Sequence, residues 1–191
     1  FKRRSVFAQL HRTYRGDYLA NAYNLNHDLD YNLDTTDWTS KPLLNSMIYK
    51  KIMKKDLELY QRRLEKLCML VEKFGSRPIF VTQTTRRYCL DGSVIKGEES
   101  ADILHPKIDS GLKYNYDGYH YNGVDFYYML KILNNRTIKF AKDNNYLVFD
   151  LASDLQDEFD IFNDYYDSVH NTPEGAKKIG DYLHVKLNNY F

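Results

Sequence analysis

At 191 residues the chain is long enough for one domain with a sizeable buried core. Its charges nearly cancel, to a formal net of +1, which excludes the strong basic field of a nucleic-acid or anionic-membrane binder. No run of about 18 apolar residues occurs, so no membrane span is expected. Cys68 and Cys89 are too few for a disulfide framework.

The aromatic content is weighted to tyrosine, with 18 Tyr and 10 Phe against a single Trp. Tyrosine joins apolar area to a hydroxyl, so part of this set could line a sugar- or ester-binding surface; the plainer account is a compositional bias. Phe1-Lys2-Arg3-Arg4 is basic, but no apolar stretch follows, so no signal peptide is expected. The absence of an initial Met leads to the expectation that an N-terminal part is missing. Through such a part the protein could be secreted, periplasmic or membrane-anchored.

In chain order, residues 1–15 read as a short helix with Val6, Phe7, Leu10 and Tyr14 at helical spacing. Residues 16–41 hold no sustained period and read as a long irregular excursion. From Ser40 or Pro42 to Phe74 the pattern is helical, with a break expected near Lys54-Lys55-Asp56. Leu57, Tyr60, Leu64, Leu67, Val71 and Phe74 form one apolar stripe, and Gly75 supplies the stop. Pro78-Ile79-Phe80-Val81-Thr82-Gln83 follows as a short buried strand. Helix, glycine turn and buried strand make the α/β unit of a parallel sheet.

Residues 84–121 read as a long loop or lid. Gln83, Arg86 and Arg87 stand at the carboxyl end of the preceding strand, where open α/β sheets bind ligands, and are candidates for substrate binding. The tyrosines between Gly111 and Gly123 could wall a substrate cleft or pack on themselves. His105, His120, Asp102, Asp109 and Asp117 match no zinc or calcium spacing, so no metal site is expected. A helix over residues 124–144 should bury Phe126, Met129, Leu130, Leu133, Ile138 and Phe140. Residues 146–151 give the next buried strand, with Asp150 placed to cap a turn or orient the loop rather than to act in chemistry. Residues 152–163 read as an acidic, solvated connection, and residues 173–189 as a last helix burying Ala176, Ile179, Leu183 and Leu187, with Gly180 allowing close approach.

Just before that helix lies Asp164-Tyr165-Tyr166-Asp167-Ser168-Val169-His170-Asn171-Thr172-Pro173-Glu174-Gly175-Ala176. Asp167 and His170 are the best candidates for catalytic residues. An Asp can accept the Nδ1–H of a His and stabilise the imidazolium formed when Nε2 takes a proton. The block from Asp167 to Ala176 resembles the last conserved block of the SGNH/GDSL hydrolases. Residues 57–83 resemble that family's helix leading into a strand of the type "vlvTQ", and the strand ending in Asp150-Leu151 is similar to its last strand. The resemblance covers roughly residues 43–191.

It implies a three-layer α/β/α, flavodoxin-like fold with a parallel sheet, here lacking its N-terminal strands. Residues 1–191 would be a single partial domain, with 1–41 as a variable insertion. It further implies a serine hydrolase acting on ester bonds, deacylating an acylated carbohydrate or lipid, or an O-acyltransferase. Asp167 and His170 would serve a nucleophilic serine, and Gly175 would pack the final helix close. No metal or organic cofactor is called for, and the partner expected is a small-molecule or glycan ester, not a nucleic acid.

Three features of the family are missing: a strand ending in Gly-Asp-Ser, the oxyanion glycine block and the Gly-x-Asn-Asp block. Gly16-Asp17-Tyr18-Leu19 carries Tyr at the serine position and has no apolar strand before it. The expectation is therefore a nucleophile outside this chain. The alternatives are a non-catalytic carbohydrate-binding or interaction protein of the same fold, and a hydrolase using Asp167 and His170 as metal ligands.

Overall fold

The computed structural model describes residues 37–99, 114–165 and 169–190, which belong to one compact unit. In chain order they form β1 (Trp38–Thr39), α1 (Ser46–Lys73), β2 (Ile79–Val81), β3 (Tyr88–Asp91), β4 (Val94–Glu98), β5 (Tyr114–Tyr116) and β6 (Tyr119–Tyr121). Then come α2 (Gly123–Asp143), β7 (Leu147–Phe149), α3 (Leu151–Asp154) and α4 (Pro173–Asn188). The fold is mixed α/β. The segment 1–36, which covers the expected first helix and most of the expected insertion, lies outside the described residues.

β2 and β7 pair in parallel, with Ile79 opposite Leu147, Phe80 opposite Val148 and Val81 opposite Phe149. Alternation along the strands sends Phe80 and Val148 to one face, where they meet Leu64 and Cys68 of α1 and Phe140 and Ala141 of α2. The other face carries Leu147 and Phe149, which pack with Tyr182, Ile179 and Leu183 of α4. Helices thus lie on both faces of the parallel pair, as the αβ reading expects. Ile79 and Val81, on the α4 side, remain 43% and 38% exposed.

α1 is continuous through Lys54-Lys55-Asp56, in contrast to the expected break. These residues simply occupy the solvent arc. Asn45 starts the helix by accepting from Met47 N and Ile48 N, both at 3.1 Å. The predicted stripe is half right: Leu57 and Leu64 are buried, but Leu67 is 52% and Phe74 86% exposed, while Cys68 is buried. The steps from Leu57 to Phe74 average about 3.5 residues, and on a straight helix such a repeat drifts by about 20° per heptad. The drift turns Leu67 and Phe74 outward and brings Cys68 in.

Residues 88–91 and 94–98, within the stretch read as loop, form an antiparallel hairpin joined by Gly92-Ser93, with φ of +61° at Gly92. β1 adds to it beside β4, giving the order β1-β4-β3. β5 and β6 form a second hairpin around Asp117-Gly118, both at positive φ, the geometry of a type I′ turn. Its Tyr116, Tyr119 and Tyr121 pack against the cluster of Tyr49, Ile52 and Met129. Tyr116 also donates a hydrogen bond to Asp56 of α1.

The first hairpin docks on the start of α2 through two glycines. A Cβ at Gly97 would lie closer than 3.0 Å to the backbone of Gly123 and Val124, and one at Gly123 closer than 3.0 Å to Arg87 O and Glu98 N. Asn122 and Asp125 form a capping box there. Asp125 is fully buried and accepts from Leu43 N, Leu44 N, Tyr49 OH and Asn122 N at 2.7–3.0 Å. This one carboxylate joins the approach to α1, α1 itself and α2. Gly97→Ala or Gly123→Ala is expected to destabilise by about 1–3 kcal/mol or more, because the obstructing atoms are backbone; urea unfolding reads it.

Candidate functional site

The carboxyl ends of β2 and β7 are tied by Thr82, which is 3% exposed. Its Oγ1 donates to Asp150 Oδ1 at 2.8 Å and accepts from Ala152 N at 2.8 Å. Asp150 therefore orients the strand end, the second of its two expected roles; its side chain makes no capping bond to α3. On the far side of β2, the amide of Asn134 accepts from Gln83 N at 3.2 Å and donates to Gln83 O at 3.0 Å. Gln83 itself is exposed.

A cavity of about 200 Å³ opens beyond these strand ends, between Thr84 and Thr85 after β2, Cys89 and Leu90 of β3, and Gln156 and Tyr165. This is where open parallel sheets place their ligands. Tyr165 is buried; its OH donates to Thr84 Oγ1 at 2.6 Å and its ring meets Phe159 at 5.5 Å. Burial pushes the Tyr88 and Tyr165 phenols and the Cys89 thiol up, which keeps all of them neutral.

Tyr165 also pairs antiparallel with Asn171, which closes the base of the loop carrying the predicted dyad. Asp164 holds that base. Its carbonyl accepts from Thr172 N at 3.0 Å and Asn171 Nδ2 at 3.2 Å. Its carboxylate, 2% exposed, accepts from Asp160 N at 2.7 Å and Lys178 Nζ at 2.6 Å. A Cβ at Gly175 would lie closer than 3.0 Å to Asp164 O, so this glycine lets the first turn of α4 reach the loop rather than the sheet. Thr172 caps α4 by accepting from Gly175 N at 3.3 Å, and Pro173 opens it.

His170 stands beside the closing pair and is exposed. Asp167 lies outside the described residues. Arg86 and Arg87 have internal roles: Arg86 is 2% exposed and faces Glu98 at 3.8 Å, while the Arg87 guanidinium lies 4.7 Å from the centre of the Phe126 ring. Residues 152–163, read as solvated, bury Leu155 and Ile161 and contribute Gln156 to the cavity. In α4 the expected core positions shift. Ala176 and Gly180 are not where the burial falls: Gly180 is exposed, with open space around the position a Cβ would take, and Tyr182 is a buried residue that meets the sheet. Gln156, Thr84 and Tyr165 escaped sequence reasoning because no periodicity or motif marks them.

Compared with protein-family models, curated proteins and solved structures, the chain has no match in any of the three.

Two measurements check the contacts that seat α4, one at the loop and one at α3. Lys178→Met leaves the Asp164 carboxylate without its cation, and should cost about 1–3 kcal/mol in urea unfolding. Asp154 accepts from Tyr182 OH and pairs with Lys186, both at 2.8 Å, and the Lys186 and Tyr182 hydrogen bonds hold its carboxyl below the usual range. A depressed carboxylate stabilises the fold above its unfolded pKa and loses that contribution as pH falls through the folded value. Asp154→Asn should thus cost under about 1 kcal/mol at neutral pH, the pair being partly screened, and the gap to wild type should narrow as pH falls through and below the usual carboxylate range.

Proposed function

We propose that this chain is the acid–base part of an SGNH-type serine hydrolase that cleaves esters, deacylating an acylated carbohydrate or lipid. One observation carries the reading. The loop bearing His170 is closed at its base by Tyr165, and Tyr165 also lines the cavity at the carboxyl ends of the parallel strands. His170 would take the proton of a serine hydroxyl as that oxygen attacks the ester carbonyl, then return it to the leaving alkoxide. Water, activated in the same way, would release the acid; an acceptor alcohol in its place would make the protein an O-acyltransferase. Asp167 would orient the imidazole. The serine and its oxyanion donors would come from outside the 191 residues.

The second edge of β2 agrees with added strands. Thr82 N bonds Phe149 O, so the main-chain groups of Ile79 and Val81 point away from β7. Among the described residues no strand pairs with that edge. The alternative, a non-catalytic carbohydrate-binding protein of the same ancestry, draws on the cavity rather than on the tyrosine-rich stretch, whose Tyr116, Tyr119 and Tyr121 pack inward.

A fluorophosphonate probe on the full-length gene product separates the two. Labelling of a serine outside this chain is expected. It should be lost in His170→Ala, and ester turnover should fall by on the order of 10⁴ in Asp167→Asn. No labelling together with retained glycan binding favours the binding protein, and full activity in either variant removes the assigned roles.

A further inference from the structure

The net charge of +1 conceals an uneven distribution. Between Asp37 and Asp56 the chain carries Lys41, Lys50, Lys51, Lys54 and Lys55 and no acidic residue, and all five lysines are exposed. At about 100° per residue, Met47, Lys50, Lys51 and Lys54 share an arc of about 100° on the first turns of α1. Met47, near the centre of that arc, is 77% exposed, and Leu43, just before the helix, is 61% exposed. The nearest carboxylates do not neutralise this face. Asp56 lies on the opposite side of α1 from Met47 and accepts a hydrogen bond from Tyr116, while Asp125 is fully buried on four donors. Glu58, one turn beyond Lys54, marks where the patch ends.

The patch stands at the same end of the fold as the candidate cavity. α1 runs from Tyr49, whose OH meets Asp125 at 2.7 Å near the start of α2, to Glu72, which accepts from Tyr146 OH at 2.7 Å just before β7. Its amino end therefore lies on the carboxyl side of the parallel strands. An open groove of about 590 Å³ lies between Lys50 of α1 and Lys131 and Asn135 of α2. The same Lys131 and Asn135 wall a hollow that shares Tyr88 and Ala152 with the candidate cavity.

We propose that the amino end of α1 is a peripheral docking surface for an anionic lipid bilayer, with Leu43 and Met47 entering the boundary between headgroups and acyl chains and the lysines meeting headgroup phosphates. Clusters of about four to eight basic residues on an amphipathic helix are drawn to anionic leaflets, and lasting attachment takes a second, apolar signal. This face carries both. Lysine suits the task, since its long stem lies along apolar surface while the ammonium reaches the phosphates. The exposed aliphatic side chains favour a bilayer over a nucleic acid, whose backbone offers no apolar layer for them to enter. The docking does not depend on the ester-hydrolase reading; where both hold, the ester is carried by a lipid.

Vesicle flotation of the full-length gene product tests this, with phosphatidylcholine alone or mixed with about 30% phosphatidylglycerol. Binding to the anionic vesicles should be at least about tenfold stronger, and the preference should vanish in about 1 M salt, where the screening length falls to about 3 Å. Lys50→Gln/Lys54→Gln should weaken anionic-vesicle binding at least about tenfold, because each lysine at such a surface contributes about fivefold. The charge-matched control Lys139→Gln/Lys142→Gln, near the far end of α2, should leave it unchanged. Met47→Ser should weaken it at least about threefold. All five side chains are exposed, and urea unfolding checks that each variant keeps its fold. Equal binding to the two vesicle types, or a Lys50/Lys54 variant no weaker than its control, overturns the surface. Undiminished binding in Met47→Ser, or displacement of the vesicles by duplex DNA at equal phosphate concentration, overturns the bilayer as its partner. Vesicle binding without fluorophosphonate labelling keeps the surface and removes the hydrolase. Labelling without vesicle binding does the reverse.

Discussion

The Thr82 hydroxyl is the contact on which the candidate site depends. The parallel pair has only three residues in each strand, too short for ladder bonds alone to keep the two exiting segments in register. Thr82 donates to Asp150 and accepts from Ala152 N, fixing the exit of β7 against the exit of β2. Thr84 and Thr85 on one side and Ala152 and Gln156 on the other then reach the cavity from defined directions. The hydroxyl uses both its donor and an acceptor in a site 3% exposed, so valine, which matches its shape, would leave Asp150 and Ala152 N short of a partner.

A second constraint acts from the other end of the chain. Asp164 turns the 160–172 segment back on itself by receiving two donors at its carbonyl and two at its carboxylate. Gly175 allows the first turn of α4 to approach that carbonyl. α4 in turn is seated on β7 through Tyr182 and Phe149, whose rings meet edge to face at 6.4 Å. Sheet, helix and loop are thus one mechanical circuit, and His170 is carried at its exposed margin.

Much of this circuit is legible in the sequence where periodicity or capping chemistry speaks. The three long helices, both parallel strands, the Gly75 stop and the Pro173 start all follow from spacing and end signals. The two hairpins are readable too. Asp117-Gly118 between alternating tyrosines is a strong turn signal, and Gly92-Ser93 a second, but the polar composition of residues 84–121 hides both. What sequence does not supply is depth. Arg86 stands out in the sequence only as a ligand-binding candidate after a strand, and Asp125 not at all, yet they lie 2% and 0% exposed, because glycine contacts at positions 97 and 123 draw the hairpin onto α2.

The exposed face of β2 shows how far this sheet can be extended. Ile79 and Val81 lie on the side that α4 covers over β7 but not over β2, and their main-chain groups point to the unpaired edge. An added strand could therefore hydrogen-bond at residues 79 and 81 and shelter both side chains. It could not continue past Val81, because the Asn134 amide already occupies both main-chain groups of Gln83 in the manner of a neighbouring strand. Asn134 is buried, so displacing it would strand a polar side chain in the interior. Any partner strand is thus obliged to diverge at the level of Thr82, where the cavity begins.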